Sequence, residues 1–225
     1  IISKEFDAPN YVSFEERERV TSGVGERMDR RINKIMKVLD FFGFDKESSE
    51  REKEKLSFYK TMMEPIDIFF NINALKDDDI EIINLPGHTV GSVGVYLKDD
   101  GIFFSGDGLL FEGISAFFDV ERLANTLEEY LFSLDKIKSL NPKKVFPGHS
   151  KGFNNVGEVI EGHKRYAENR TKEITELIDQ GKSIKEIKEI LYPPNQNIII
   201  ILAEIIYALE KKGFPILNEL KNILV

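Results

Sequence analysis

The sequence predicts an α/β protein, with layered strands and helices followed by a helical tail. Three observations carry that prediction. Short β-branched runs bounded by Gly, Pro and Asp fall between residues 80 and 146. Residues 14–65 and 120–140 repeat apolar positions at spacings of three and four, and the chain after Val156 keeps that helical period.

Taken in order, Val20, Val24, Met28, Ile32, Ile35, Met36 and Leu39 fall on one helical face. Gly43 ends that segment, and residues 47–63 read as a second helix stopped near Pro65. Asp77, Asp78 and Asp79 read as a solvated turn, because three adjacent carboxylates do not converge on one ion without special geometry. Residues 80–85 form a β-branched run followed by Pro86-Gly87. Residues 92–97 are a second strand and 101–105 a third, with Asp99, Asp100 and Gly101 as the hairpin turn between them. Residues 120–140 return to helical spacing, and 144–146 are a brief buried strand closed by Pro147-Gly148. In the tail, Ser183 and Glu186 make a capping box, Pro193 and Pro194 end that helix, and residues 198–212 form another with Gly213 as its stop. The expected division is a main domain over 1–155 and a helical region over 156–225.

The 225 residues carry 31 Lys+Arg against 39 Asp+Glu, a net charge of −8. That acidic balance argues against nonspecific binding to nucleic acid or an anionic membrane, both of which need clustered Lys and Arg. With 41% hydrophobic residues a packed core is supplied and wholesale disorder is excluded. The absence of Cys removes disulfide scaffolds, thiol catalysis and cysteine-based zinc sites together. Any metal must be held by His, Asp or Glu, and there are three histidines. The start lacks the apolar run and cleavage site of a signal peptide. The most apolar stretch, 198–209, is interrupted by Glu204 and falls short of the roughly 20 residues that span a bilayer. A cytoplasmic protein without a membrane partner is therefore expected.

Three segments place a metal-capable side chain at the end of an expected strand. They are LPGHTVGS over 85–92 with His88, FFSGDG over 103–108 with Asp107, and VFPGHS over 145–150 with His149. Their glycines allow sharp turns that leave the side chain at the strand edge. Imidazole and carboxylate suit zinc, iron or manganese, and one carboxylate can bridge two cations. Either histidine alone would read as a turn residue, and Asp107 alone as a turn or cap.

The order PGHTxGS, SGD, PGH resembles the later motifs of the metallo-β-lactamase superfamily, closest in texture to its glyoxalase II-like hydrolases. The resemblance implies an αββα sandwich with a two-metal site at one edge. It implies that His88 ligates the first metal, that Asp107 bridges both and serves catalysis, and that His149 ligates the second. Thr89 and Ser92 would order the His88 loop. The implied cofactors are two divalent ions, with zinc expected and iron or manganese as alternatives. His163, Arg165, Arg170, Ile174 and Leu177 resemble the helical C-terminal segment of one branch. His163 itself reads as a structural or rim residue. The superfamily's main metal motif, HxHxDH, normally precedes these segments and gives two ligands to each metal. It does not occur here, where histidines stand only at 88, 149 and 163. We therefore expect this chain to be the later part of a longer protein, with its N-terminal strands missing and its site incomplete, and by itself to show little catalysis.

The function implied for the intact form is a metal-dependent hydrolase. It would use a metal-bound hydroxide on a thioester, ester or related carbonyl of a small-molecule substrate. One alternative is a metal-dependent nuclease, since residues 183–213 could form a helix-turn-helix-like unit. Against it, the tail has no Arg after Arg170 and its lysines are interleaved with glutamates. Another is a non-catalytic degenerate member acting as a scaffold. A homo-oligomer is compatible with the sequence, and nucleic acid is not an expected partner. Phe117 and Phe118 read as core or as a pocket wall, and Lys164, Arg165 and Tyr166 as a solvated face or a contact for an anionic substrate. Substrate-binding residues stay unassigned.

Overall fold

The computed structural model describes residues 9–21, 24–63, 69–193 and 196–224. Near the start, β1 (Tyr11–Val12) pairs in parallel with β2 (Phe70–Asn71). Between them lie α1 (Arg17–Val20), α2 (Val24–Phe41) and α3 (Lys46–Thr61). Met28, Ile32, Ile35 and Leu39 of α2 are buried, as their spacing requires. The Val24 side chain lies outside the described residues, and so does Pro65. The helical stretch expected over 14–65 is broken more than its periodicity implied. A 3₁₀ turn at Phe14–Glu16 leads into the separate α1, and Gly43, with φ of 70°, allows the reversal before α3. Asp45 starts α3 by accepting from the Ser48 N–H at 2.7 Å.

The sheet that positions the site follows. Asp77 makes the expected turn, its Oδ1 accepting from the N–H groups of Asp79 at 2.9 Å and Ile80 at 3.1 Å. Strands β3 (Ile80–Asn84), β4 (Val93–Leu97), β5 (Ile102–Gly106) and β6 (Lys144–Pro147) form one sheet in that spatial order. β4 is antiparallel to β3 and β5, whereas β6 is parallel to β5, with Phe103 opposite Val145. A parallel neighbour needs a crossover, and α4 (Thr126–Leu140) supplies it. Leu127, Tyr130, Leu134 and Ile137 recur at helical spacing and are buried with Phe103 and Val145 of the sheet.

Two of the boundaries that differ from the sequence reading have a visible cause. β4 starts at Val93 because the Ser92 hydroxyl is used to close the preceding turn. The helix expected from residue 120 starts at Thr126, because Asp119 holds a turn before it. Asp119 Oδ1 accepts from the Glu121 and Arg122 N–H groups, its Oδ2 accepts from Arg19 and Arg122 side chains, and Leu123 takes a left-handed φ of 53°. Burial works against the Asp119 charge, but hydrogen bonds and charge from Arg122 and Arg19 outweigh it and hold the carboxyl below the usual range.

The tail comprises α5 (Val156–Asp179), α6 (Ile184–Leu191), α7 (Ile198–Lys211) and α8 (Ile216–Leu224). Ser183 and Glu186 form the expected capping box at α6, and Gly213 follows α7 with φ of 84°. Pro194 lies outside the described residues. α7 is buried on nearly every side and packs against α4, α5 and α8. Among the described residues no helix is long and apolar enough to cross a membrane.

Glu204 sits in the middle of α7, almost wholly buried. It accepts from the Tyr192 hydroxyl at 2.6 Å and lies 3.7 Å from the Arg170 guanidinium, which itself rests over the Tyr192 ring. Burial pushes its carboxyl pKa up against the pull of Tyr192 and Arg170. A raised folded value means stability is fully present below the ordinary glutamate range and is lost as pH rises through that value. Glu204→Gln, which cannot ionise, should therefore gain in thermal stability relative to wild type between pH 5 and pH 8. Melting curves across that range check it, and a difference that is flat or falls with pH would refute it.

Candidate metal centre

β3, β5 and β6 run in the same direction, so their carboxyl ends open on one edge of the sheet. His88, Asp107 and His149 each lie just beyond one of those ends. The His88 loop turns at Gly87, whose φ is 135° and where an added Cβ would meet the Tyr130 Cα at 2.6 Å. Thr89 and Ser92 close the loop. The Thr89 N–H donates to Ser92 Oγ at 3.1 Å, the two hydroxyls are 2.8 Å apart, and the Leu85 N–H donates to the Ser92 carbonyl at 2.7 Å. Glu16 adds an outside tie by accepting from the Gly91 N–H at 2.9 Å. The other two loops are fastened together, with the Gly148 N–H donating to the Gly106 carbonyl at 2.7 Å. A Cβ at Gly148 would come within 2.7 Å of Asp107 Oδ1, so only glycine leaves that oxygen its room.

The three side chains converge. His88 Nε2 lies 3.5 Å from Asp107 Oδ2, and His149 Nε2 lies 3.5 Å from Asp107 Oδ1. His88 Nδ1 is 2.9 Å from the Ser115 carbonyl, which can only accept, so the proton is assigned to Nδ1. With Nδ1 engaged by Ser115, the Nε2 of His88 is the nitrogen that faces the Asp107 carboxylate. Asp107 Oδ1 is buried without a hydrogen-bond partner, a costly state for a carboxylate oxygen unless an ion satisfies it. Two donors each about 2.0–2.2 Å from one ion at a tetrahedral angle lie roughly 3.3–3.6 Å apart, which both contacts match. The donor set therefore fits divalent cations. The histidines and Asp107 form one flank rather than a closed cage: among the described residues no three His, Asp or Glu enclose a common point. His88 and Asp107 are recessed, at 20% and 28% side-chain exposure, whereas His149 is open at 78%.

Ser115 and Tyr130 escaped the motif reading, whereas Phe117 takes the place expected of it as a pocket wall. Buried Ser115 joins two of the loops, its carbonyl accepting from His88 and its hydroxyl donating to the Asp107 carbonyl. Nothing in its local sequence signals this, because the tie exists only after the chain has folded back. Phe117 packs on His88 with ring centroids 4.3 Å apart, and its N–H donates to the Gly87 carbonyl at 3.2 Å. The Tyr130 hydroxyl lies 2.7 Å from His163 Nδ1. His163 thus sits buried behind the centre, and burial lowers its pKa despite the Phe111 and Leu110 carbonyls. Lys164 pairs with Asp135, and Tyr166 lies under Arg170. Two cavities flank the trio, one of about 590 Å³ beside His149 and Phe111 and one of about 360 Å³ beside His88 and Phe117.

The fold is a mixed sheet flanked by helices, with a His–Asp–His edge at its strand ends. The sequence model of the metallo-beta-lactamase superfamily matches residues 35–149, a stretch that contains all three site residues. The chain belongs to that superfamily. The beta-lactamase-like protein 2 homolog of Caenorhabditis elegans is 32% identical over 147 residues, 62% of this chain and 45% of that protein. The chain thus spans less than half the length of this curated relative. A metallo-beta-lactamase family protein from Thermus thermophilus superposes with a TM-score of 0.68 at 21% identity, covering 92% of this chain and 67% of that one. A beta-lactamase domain protein from Burkholderia ambifaria gives 0.64 at 20% identity, covering 91% and 58%. At such identities the likeness concerns the fold.

Tyr130→Phe removes the buried partner of His163 Nδ1. It should cost about 1–3 kcal/mol, read as a lower midpoint in urea, with secondary structure unchanged by circular dichroism. An unchanged midpoint would show that the Tyr130–His163 contact carries no stability.

Proposed function

We propose that the intact protein is a metal-dependent hydrolase of the glyoxalase II-like kind, acting on a thioester or ester carbonyl of a small molecule. The observation that carries this reading is Asp107, whose two oxygens each face a histidine Nε2 at 3.5 Å while one of them is buried and unpartnered. His88, Asp107 and His149 would hold the cations, Asp107 offering an oxygen to each side. Zinc suits mixed imidazole and carboxylate donors, and iron or manganese are the alternatives. When bound, such ions lower the pKa of water and take up negative charge on a carbonyl oxygen.

The residues of the chain supply order. Ser115 fixes the His88 tautomer and ring plane by accepting its Nδ1 proton, and ties the Asp107 backbone to the same point. Thr89 and Ser92 fix the loop that carries His88. Phe117 shields one face of the His88 ring from water. In the reaction, the oxygen of water bonds to the acyl carbon, the C–S or C–O bond breaks, and the thiol or alcohol leaves with a proton.

Loaded with zinc, manganese or iron(II), the intact full-length protein should hydrolyse thioesters or esters in a screen that also includes lactones and phosphodiesters. Failure on every class with metal bound would sink the hydrolase reading. Separately, Asp107→Asn and Gly148→Ala should each weaken zinc binding at least tenfold by calorimetry, the first by removing a charged donor and the second by crowding Asp107 Oδ1. Native zinc affinity in both variants would remove these residues from the metal centre.

A further inference from the structure

The cavity beside His88 carries on its wall an arginine, Arg31, on which Asp119 and Glu121 act through charge alone, without a hydrogen bond or close ion pair among the described residues. Its wall toward α2 and α3 carries Arg31, Glu52 and Lys55, and its apolar lining includes Leu56, Tyr59 and Phe117. Lys55 and Glu52 pair with each other at 3.6 Å. Two neighbouring arginines are also committed, Arg19 to Asp119 at 3.0 Å and Arg27 to Glu121 at 3.0 Å. Arg31, by contrast, makes no hydrogen bond or ion pair among the described residues. Burial, and then Arg19, press its pKa down against the pull of Asp119 and Glu121. A guanidinium nevertheless keeps its charge in a protein, and its fork of donors matches the paired oxygens of a carboxylate or phosphate. A half-buried guanidinium with no hydrogen bond or ion pair among the described residues, at the wall of a cavity that also reaches His88, is placed to receive an anion from outside.

We propose that this cavity binds the acyl side of the substrate, an apolar chain ending in a carboxylate or phosphate, with Arg31 taking the terminal oxyanion while the scissile carbonyl lies at the His88 end. This assignment of substrate class rests on the hydrolase reading. The oxyanion site itself is testable without it.

Hexanoate, hexyl phosphate and neutral hexanamide are titrated into the metal-free protein and followed by amide chemical shifts in NMR. At least one anion should bind tenfold or more tightly than hexanamide, and the tighter of the two tells carboxylate from phosphate. Arg31→Gln should abolish that preference and Arg31→Lys restore part of it, with hexanamide binding unchanged. In parallel, the zinc-loaded intact full-length protein is assayed on monophenyl adipate, which carries a free carboxylate, and on neutral phenyl hexanoate. The adipate ester should show the higher kcat/KM through a lower KM. If hexanoate and hexyl phosphate bind no more tightly than hexanamide, the oxyanion site is overturned, whichever esters are cleaved. If Arg31-dependent binding holds but neither ester is cleaved, the site stands and the hydrolase reading fails. Should Arg31→Gln fail to fold, the comparison of anion with amide on the wild-type protein decides the matter.

Discussion

Three strands of one polarity are the constraint on which the centre depends. β3, β5 and β6 all run toward the same edge, because β4 is antiparallel to its two neighbours and β6 is parallel to β5. Had β6 paired the other way, His149 would lie at the far end of the sheet from Asp107. The parallel pairing requires α4 as a crossover, and the same helix buries Tyr130 against the Gly87 turn. One topological choice thus brings the donors together and sets the wall behind them.

Within that frame the centre is held by few side chains and much backbone. Ser115 is the joint between the His88 and Asp107 loops, and the Gly106–Gly148 hydrogen bond joins the loops of Asp107 and His149. The tail extends the support, since the Phe118 N–H donates to the Ile199 carbonyl at the start of buried α7. The helical region therefore shores up the loop that carries Phe117. At the edge, one Asp107 oxygen is buried without a donor, and Arg31, at the wall of the cavity beside His88, makes no hydrogen bond or ion pair among the described residues.

Much of the architecture was legible in the sequence. The β-branched runs, the capping box of Ser183 and Glu186, and the Gly43 and Gly213 stops are local devices, and local devices survive into the fold. The expected helix over 120–140 began late because Asp119 draws its arginines from 100 residues away as well as from its own turn, which periodicity cannot register. β1 and β2 escaped notice because two-residue strands pair across almost 60 positions and leave no pattern.

The sequence alone determined which residue types stand at the centre: imidazole, carboxylate, imidazole, each flanked by glycines that only a turn with close backbone approach would need. That follows from chemistry carried within six or eight adjacent residues. Tertiary structure decided the rest. It set which nitrogen of His88 faces the Ser115 carbonyl, which Asp107 oxygen faces which ring, and which arginine of its neighbourhood makes no ion pair among the described residues. Those are properties of groups distant in the chain. Ser115, Tyr130 and Arg31 have no motif, and their roles come from what the folded backbone lays beside them.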